Sequence, residues 1–151
     1  MKKGEMLSQM ILIATNNHAG QFDKGGKPYI LHPLAVMNIL NSNDEELQCI
    51  AVGHDLFEDT DVSRGELEDA GISDRVIEGI MRMTKMPGES YEEYKEKIFN
   101  SVDAMLVKKA DLTHNSDFKR LKGIRDKDID RNIRYMKFYY EIEQRLIGVS
   151  V

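Results

Sequence analysis

Residues 49–59 are Cys-Ile-Ala-Val-Gly-His-Asp-Leu-Phe-Glu-Asp, an apolar run that leads into four ionisable side chains. On a continuous helix these four side chains share one arc of about 140°, at about 100° per residue: His54, Asp55, Glu58 and Asp59. Ionisable groups inside a packed helix are costly unless a cation or mutual pairing compensates their charges. A solvated acidic helix end would need no such partner, so this segment alone leaves both interpretations open.

Helical periodicity continues on both sides of this segment. Apolar residues at 3.6-residue spacing over 6–14 predict a first helix that ends near Gly20. The glycines and proline of 21–31 favour an ordered loop, and Pro33 suits the first position of a second helix. The next helix is predicted from Asn43 or Asp44 to about Asp59.

Two capping boxes mark helix starts further along the chain. Ser63 precedes Glu66 by three residues, and Ser90 precedes Glu93 in the same way. Apolar stripes also predict helices through 76–83, 106–110 and 129–140, and no stretch alternates as a strand does. The sequence therefore predicts an all-α, single-domain helical bundle over residues 1–151, with roughly six to eight helices.

Composition excludes several other classes of protein. The 151 residues carry 26 acidic and 21 basic side chains, a formal charge of −5, which does not favour binding of nucleic acid. No apolar run approaches the roughly 20 residues of a membrane span, and the first residues lack the pattern of a secretory signal. One cysteine, Cys49, permits neither an internal disulfide nor a multi-thiolate zinc site. We therefore expect a cytoplasmic protein with no membrane partner.

Charge is uneven along the chain. Residues 44–74 hold eleven carboxylates and one base, whereas residues 118–134 hold seven bases and three acids. We interpret most of these side chains as solvated helix faces. The acidic band nevertheless contains the densest set of potential metal ligands in the sequence.

Two further segments add candidate ligands. His32 follows the apolar approach Tyr-Ile-Leu and precedes a rigid proline, and Asp111 and Asn115 lie four residues apart on one predicted helix face. Taken singly, each is typical of a hydrogen-bonded structural residue. Two histidines and two aspartates together suit a divalent transition ion such as manganese, iron or zinc better than calcium.

On these motifs the chain resembles the HD superfamily of metal-dependent phosphohydrolases, and within it the hydrolase domain of RelA/SpoT-type alarmone enzymes and their small single-domain relatives. Several separate motifs in the right order are more specific than an HD dipeptide alone. The motifs that carry the resemblance are 18–21 (His-Ala-Gly-Gln), 26–33 (Gly-Lys-Pro-Tyr-Ile-Leu-His-Pro), 54–60 (His-Asp-Leu-Phe-Glu-Asp-Thr), 91–94 (Tyr-Glu-Glu-Tyr) and 107–115 (Val-Lys-Lys-Ala-Asp-Leu-Thr-His-Asn).

The resemblance implies a role for each matching residue. It implies one metal ion, typically manganese, although another divalent transition metal is compatible with the ligands: His32, His54, Asp55 and Asp111. It implies that Glu58 and Asp59 orient the attacking water and assist proton transfer. Candidate substrate contacts are Lys24, Tyr29 and Asn115, with Lys27 and Lys108 as further candidate cations. We expect His18 to make a structural hydrogen bond and His114 to support the site from behind.

The implied activity is hydrolysis of guanosine 3′,5′-bis(diphosphate), with pyrophosphate released from the 3′ position. The chain departs from the family pattern at Asp23 and Leu112, where the alarmone hydrolases usually carry arginines. These departures put guanine preference in doubt and leave two alternatives. One is hydrolysis of another nucleotide, such as the 2′-phosphate of NADPH, and the other is a catalytically silent nucleotide-binding module. The sequence fixes neither the oligomeric state nor the resident metal.

Overall fold

The computed structural model describes residues 1–149, which fold into helices joined by short loops. The prediction of an all-α fold is confirmed, and the predicted domain of 1–151 includes two residues that lie outside the described part. Over residues 1–149 the elements are α1 (Glu5–His18), α2 (Leu31–Leu40), α3 (Glu45–Gly53), α4 (Leu56–Asp59), α5 (Arg64–Asp69), α6 (Asp74–Arg82), α7 (Tyr91–Phe99), α8 (Val102–Asn115), a 3-10 turn (Phe118–Arg120) and α9 (Asp126–Leu146).

Helix α3 lies at the centre of the bundle and packs against α1, α2 and α6. Its N-terminus is capped by Asp44, whose carboxylate accepts the backbone N–H groups of Glu46 and Leu47. The crossing with α6 is close because Gly79 faces α3: a Cβ at this glycine would come within 2.5 Å of the Ile50 side chain. The core is therefore densest around the helix that leads into residues 54–59.

Of the two predicted capping boxes, the one at Ser63 forms in full, whereas at Ser90 only the bond to the serine hydroxyl forms. Ser63 accepts the N–H of Glu66, and the Glu66 carboxylate accepts the N–H of Ser63, which completes the capping box. At the start of α7, the hydroxyl of Ser90 accepts the N–H of Glu93. Sequence-local hydrogen bonds thus fix the starts of α5 and α7.

The helix predicted to run to Asp59 is interrupted, which corrects the sequence analysis. Helix α3 ends at Gly53, Asp55 adopts φ −101° and ψ 0°, and α4 begins at Leu56. These dihedral angles lie in the bridge region, where many active-site residues are found. Because of the break, the described residues form nine α-helices rather than six to eight, and the four ionisable side chains do not share one straight helix face.

Across residues 1–149, every helix is too short or too polar to cross a membrane.

Candidate metal centre and adjoining cavity

Three helices that pack against one another bring four predicted ligands together. His32 lies in the first turn of α2, His54 follows the last residue of α3, and Asp111 lies on α8. Asp55 lies in the break between α3 and α4. The two histidines and Asp111 are at most 3% exposed, so the cluster is buried.

The donor atoms of these residues face one another. Asp111 Oδ1 lies 2.9 Å from His32 Nε2 and 3.2 Å from His54 Nε2. Asp55 Oδ2 lies 3.1 Å from His54 Nε2 and 3.7 Å from His32 Nε2. Two imidazole nitrogens and two carboxylates from three separate segments of the chain therefore meet at one point.

The tautomer of His54 follows from its surroundings. Its Nδ1 atom lies 2.7 Å from the carbonyl oxygen of Ala51, which can only accept, so Nδ1 carries a proton. The buried Nε2 atom faces the carboxylates of Asp55 and Asp111 at 3.1 and 3.2 Å, but within the part of the chain that the structure describes it forms no well-aligned hydrogen bond. Burial opposes a positive charge on this ring, but the carboxylates of Asp55 and Asp111 raise its pKa well above the ordinary value. The two carboxylates therefore stabilise a positive charge at or next to the Nε2 atom of His54.

His32 is oriented by a second histidine. His32 Nδ1 lies 2.7 Å from His114 Nδ1, and the two rings stack with centroids 5.0 Å apart. Burial, the Arg120 guanidinium and His32 lower the pKa of His114 to about 4, so His114 is neutral near neutral pH. With His32 Nδ1 donating to the lone pair of His114, His32 Nε2 presents its own lone pair to the cluster. His114 thus supports the site from behind, as predicted.

The two carboxylates are also held by neighbouring donors. The Tyr29 hydroxyl donates to Asp55 Oδ2 at 2.5 Å, Asn115 Nδ2 donates to Asp111 Oδ1 at 3.0 Å, and Lys108 Nζ donates to Asp111 Oδ2 at 2.9 Å. Burial raises the pKa of Asp55, but His54 outweighs it and the pKa falls to about 2. Burial also acts on Asp111, where Lys108 and His54 hold the pKa well below its usual range. Both aspartates are therefore carboxylates at neutral pH.

The donor set fits a divalent transition ion. Donor atoms of His32, His54 and Asp55 lie within 4.8 Å of one another, and Asp111 contacts both rings. Imidazole nitrogens with carboxylate oxygens suit manganese, iron or zinc. The unpartnered Nε2 of His54 is the atom that such an ion would satisfy.

Glu58 and Asp59 lie on α4, directly after the break. Both line an open cavity of about 370 Å³ together with Gln21, whose side chain donates to the backbone carbonyl of Asp59. The Glu58 carboxylate accepts the N–H of Lys85 at 2.5 Å. Burial and the nearby Asp55 raise the pKa of both acids, so each holds a proton more readily than a free carboxylate.

The predicted substrate-contacting residues share a different cavity. Lys24, Tyr29 and Asn115 all line a cleft of about 330 Å³, and Tyr29 and Asn115 connect it to the buried cluster through Asp55 and Asp111. Lys108, a further candidate cation, instead pairs with the buried Asp111 and does not line this cleft.

Arg120 and Arg131 also line this cleft, and sequence reasoning missed both. The only signal in the sequence was the excess of bases over 118–134, which we interpreted as a solvated face. Arg131 donates to the buried Asp128 at 2.7 Å, and Arg120 lies 3.6 Å from Asp23. The cleft therefore has several cationic groups in a protein of net negative charge.

The two departures from the family pattern lie in different environments. Asp23 lines the cleft and accepts the N–H of Lys27 at 2.9 Å. Although burial raises its pKa, the Lys27 N–H and Arg120 outweigh that effect and lower it. Leu112 is 1% exposed and belongs to the hydrophobic core, away from the cleft. His18 makes the expected structural contact, with Nδ1 2.8 Å from Gln21 Oε1.

Comparison with known proteins gives a consistent relationship. No protein-family model matches the chain. The guanosine-3′,5′-bis(diphosphate) 3′-pyrophosphohydrolase of Haemophilus influenzae is 33% identical over 116 residues, which cover 69% of this chain and 17% of the relative. The bifunctional (p)ppGpp synthase/hydrolase SpoT of Escherichia coli is 33% identical over 121 residues, or 72% of this chain and 17% of the relative. The chain therefore spans about a sixth of these curated relatives.

One solved structure shares the whole fold. It is described as a metazoan ortholog of SpoT that hydrolyzes ppGpp, and it matches with a TM-score of 0.76 and 23% identity, over 100% of this chain and 90% of that chain. The helical bundle of the described residues is therefore the fold of that structure. In sequence, the chain is a relative of the RelA/SpoT-type hydrolases.

Proposed function

We propose that the chain is a metal-dependent phosphohydrolase that cleaves guanosine 3′,5′-bis(diphosphate) and releases pyrophosphate from the 3′ position. The observation that carries the proposal is the convergence of two imidazole Nε2 atoms and two carboxylates at the end of a cationic cleft. The names of relatives from H. influenzae and E. coli support this substrate class.

The proposed ligands of the metal ion are His32, His54, Asp55 and Asp111, and the proposed metal is manganese. A bound divalent ion lowers the pKa of a water molecule and offsets negative charge on a phosphoryl oxygen. The chain itself keeps both aspartates ionised and directs the Nε2 atoms of both histidines inward, where a bound cation would replace the proton that the carboxylates favour on His54.

Glu58 and Asp59 are the proposed proton-handling residues. Their raised pKa values bring them closer to neutral pH, where a carboxylate is a better proton acceptor. The bond from the Lys85 N–H fixes the Glu58 carboxylate, and the bond from Gln21 fixes the backbone at Asp59. Either carboxylate would hold the attacking water and take its proton.

The cleft supplies the proposed nucleotide site. Lys24 and Arg131 would bind phosphate groups, whereas Tyr29 and Asn115 would lie between the nucleotide and the reacting centre. Burial and the neighbouring Arg131 lower the pKa of Lys24, which is typical of a cationic group crowded by other cations. An anionic ligand would relieve that crowding.

The test is incubation of the purified protein and manganese with a panel of nucleotides, with separate detection of pyrophosphate and orthophosphate. Pyrophosphate from (p)ppGpp supports the proposal. Orthophosphate from NADPH or another nucleotide would assign the site to that substrate instead. Binding without turnover of any nucleotide would make the chain a silent nucleotide-binding module. We also propose a cytoplasmic location, which cell fractionation would test.

A further inference from the structure

Arg120 lies at the end of the 3-10 turn and lines the cleft. Oxygen acceptors of the protein lie next to both of its Nη atoms. Nη1 lies 3.2 Å from both the carbonyl oxygen of His114 and Oδ1 of Asn115. Nη2 lies 3.6 Å from Asp23 Oδ2. The side chain is 21% exposed and lines the cleft.

Asp23 is itself fixed, which makes it a suitable anchor for Arg120. Its carboxylate accepts the N–H of Lys27, and the backbone of the same loop lies against the 3-10 turn. At Gly25 the approach is so close that a Cβ would overlap the carbonyl oxygen of Arg120. The loop over 21–30 and the 3-10 turn therefore form one wall of the cleft.

The bonding of Arg120 determines what it can offer a ligand. A phosphate group is best bound through the N–H edge of a guanidinium group, and here the Nη edge already faces three protein acceptors. The flat face of the group has no such partners among these contacts, and guanidinium faces stack on planar rings. Rings of Phe22, Tyr29 and Tyr135 line the same cleft, which further suits a flat ligand.

We propose that Arg120 contacts the nucleobase by stacking, and that Asp23 is its positioning residue. In this arrangement Lys24 and Arg131 bind phosphate, and the Asp23–Arg120 pair determines how strongly a base is held. The proposal rests on the proposed function, because it assigns the cleft to a nucleotide. It goes beyond that function by naming the residues that hold the base.

The test compares ligands with and without a base. Affinities for GDP and for inorganic pyrophosphate would be measured by calorimetry for the wild type, R120Q, R120K and the control K119Q, whose exposed lysine lies outside the cleft. We expect R120Q and R120K to lower the affinity for GDP about five- to tenfold, which corresponds to the loss of one stacked cation contact. The affinity for pyrophosphate should change less than about twofold. Lysine retains the positive charge but lacks the planar guanidinium group, so R120K distinguishes stacking on a base from binding of phosphate.

Other results would overturn the inference. Wild-type affinity for GDP in R120K, equal losses for GDP and pyrophosphate in R120Q, or no GDP binding by the wild type would each do so. Thermal melting shows whether R120Q and R120K are folded, and R120K is the milder replacement. Turnover is measured separately. If the wild type hydrolyses (p)ppGpp and R120Q keeps the wild-type affinity for GDP, this inference is wrong while the proposed function stands.

Asp23 is tested through Arg120. We expect D23N alone to lower the affinity for GDP about two- to fourfold. Combined with R120Q it should cause no further loss, since Asp23 acts only by positioning Arg120. Pyrophosphate affinity should not fall, because D23N removes a negative charge from the cleft. Additive losses of GDP affinity, or equal losses for the two ligands, would contradict the positioning role.

Discussion

The buried cluster and the wall of the cleft are built in opposite ways. The cluster takes its side chains from three mutually packed helices, and each ligand is fixed by a donor or acceptor behind it: Tyr29, Ala51, Lys108, His114 and Asn115. The wall takes its side chains from the loop over 21–30 and the 3-10 turn, α9 adds Arg131 and Tyr135 to the same cleft, and most of these side chains are partly exposed. Reaction chemistry thus lies in the rigid core, whereas the residues that would select the substrate lie on connecting segments.

The strongest test of the cluster is D55N, because asparagine has nearly the same shape as aspartate but carries no negative charge. We expect manganese affinity to fall by at least about a hundredfold and turnover to be lost with it, because the remaining donors include only one carboxylate. Calorimetry with manganese and the pyrophosphate assay measure the two effects. The control is D69N at an exposed position of α5, which should match the wild type. Full turnover by a D55N protein that binds no metal would end the proposed function.

The second test compares adjacent lysines of α8. The Lys108 side chain is 14% exposed and pairs with the buried Asp111, whereas the side chains of the Lys109–Glu143 pair are 33% and 39% exposed. In the presence of a chelator, K108M should reduce the free energy of unfolding by about 3–5 kcal/mol, because it removes the lysine cation that pairs with a buried carboxylate. K109M should cost less than about 1 kcal/mol. Urea denaturation measures the free energy of unfolding of both variants. Equal losses in K108M and K109M would mean that solvent screens the Lys108–Asp111 pair as strongly as the pair at the surface.

The third test uses the metal ion as a stabilising ligand. At a manganese concentration about 100 times Kd, binding to the folded state alone stabilises it by about 2.7 kcal/mol, which raises Tm by about 5–10 °C for a chain of this size. A chelator should reverse the shift. D55N should show no shift, and an undiminished one would mean that manganese binds elsewhere.

The smallest expected effect belongs to the wall of the cleft. G25A should push the loop away from the 3-10 turn, because the added Cβ meets the carbonyl oxygen of Arg120. We expect KM for the nucleotide to rise several-fold while manganese affinity does not change. Gly123 is the matched control, since a Cβ there meets nothing within 4 Å. A loss of manganese affinity in G25A would show that the two regions are coupled.

The sequence predicted much of this arrangement and missed identifiable parts of it. Helical periodicity predicted the bundle, and the motifs named four side chains that the fold brings into contact. Their role as metal ligands stays a prediction. The break after Gly53 was missed because apolar spacing continues across it, and the dihedral angles of Asp55 depend on no local signal. Arg120 and Arg131 were missed because seven bases over 118–134 look alike in sequence, and helix packing decides which of them face the cleft.

The sequence by itself determined the helices, their caps and the identity of the chemically capable residues, because these depend on periodicity and on contacts three or four residues apart. Tertiary structure alone decided that His32 Nε2 faces Asp111, that His114 supports His32, and that Asp23 anchors Arg120. The physical reason is sequence separation. Each of these contacts joins residues about 80 to 100 positions apart, so it exists only when several helices have packed around a common core.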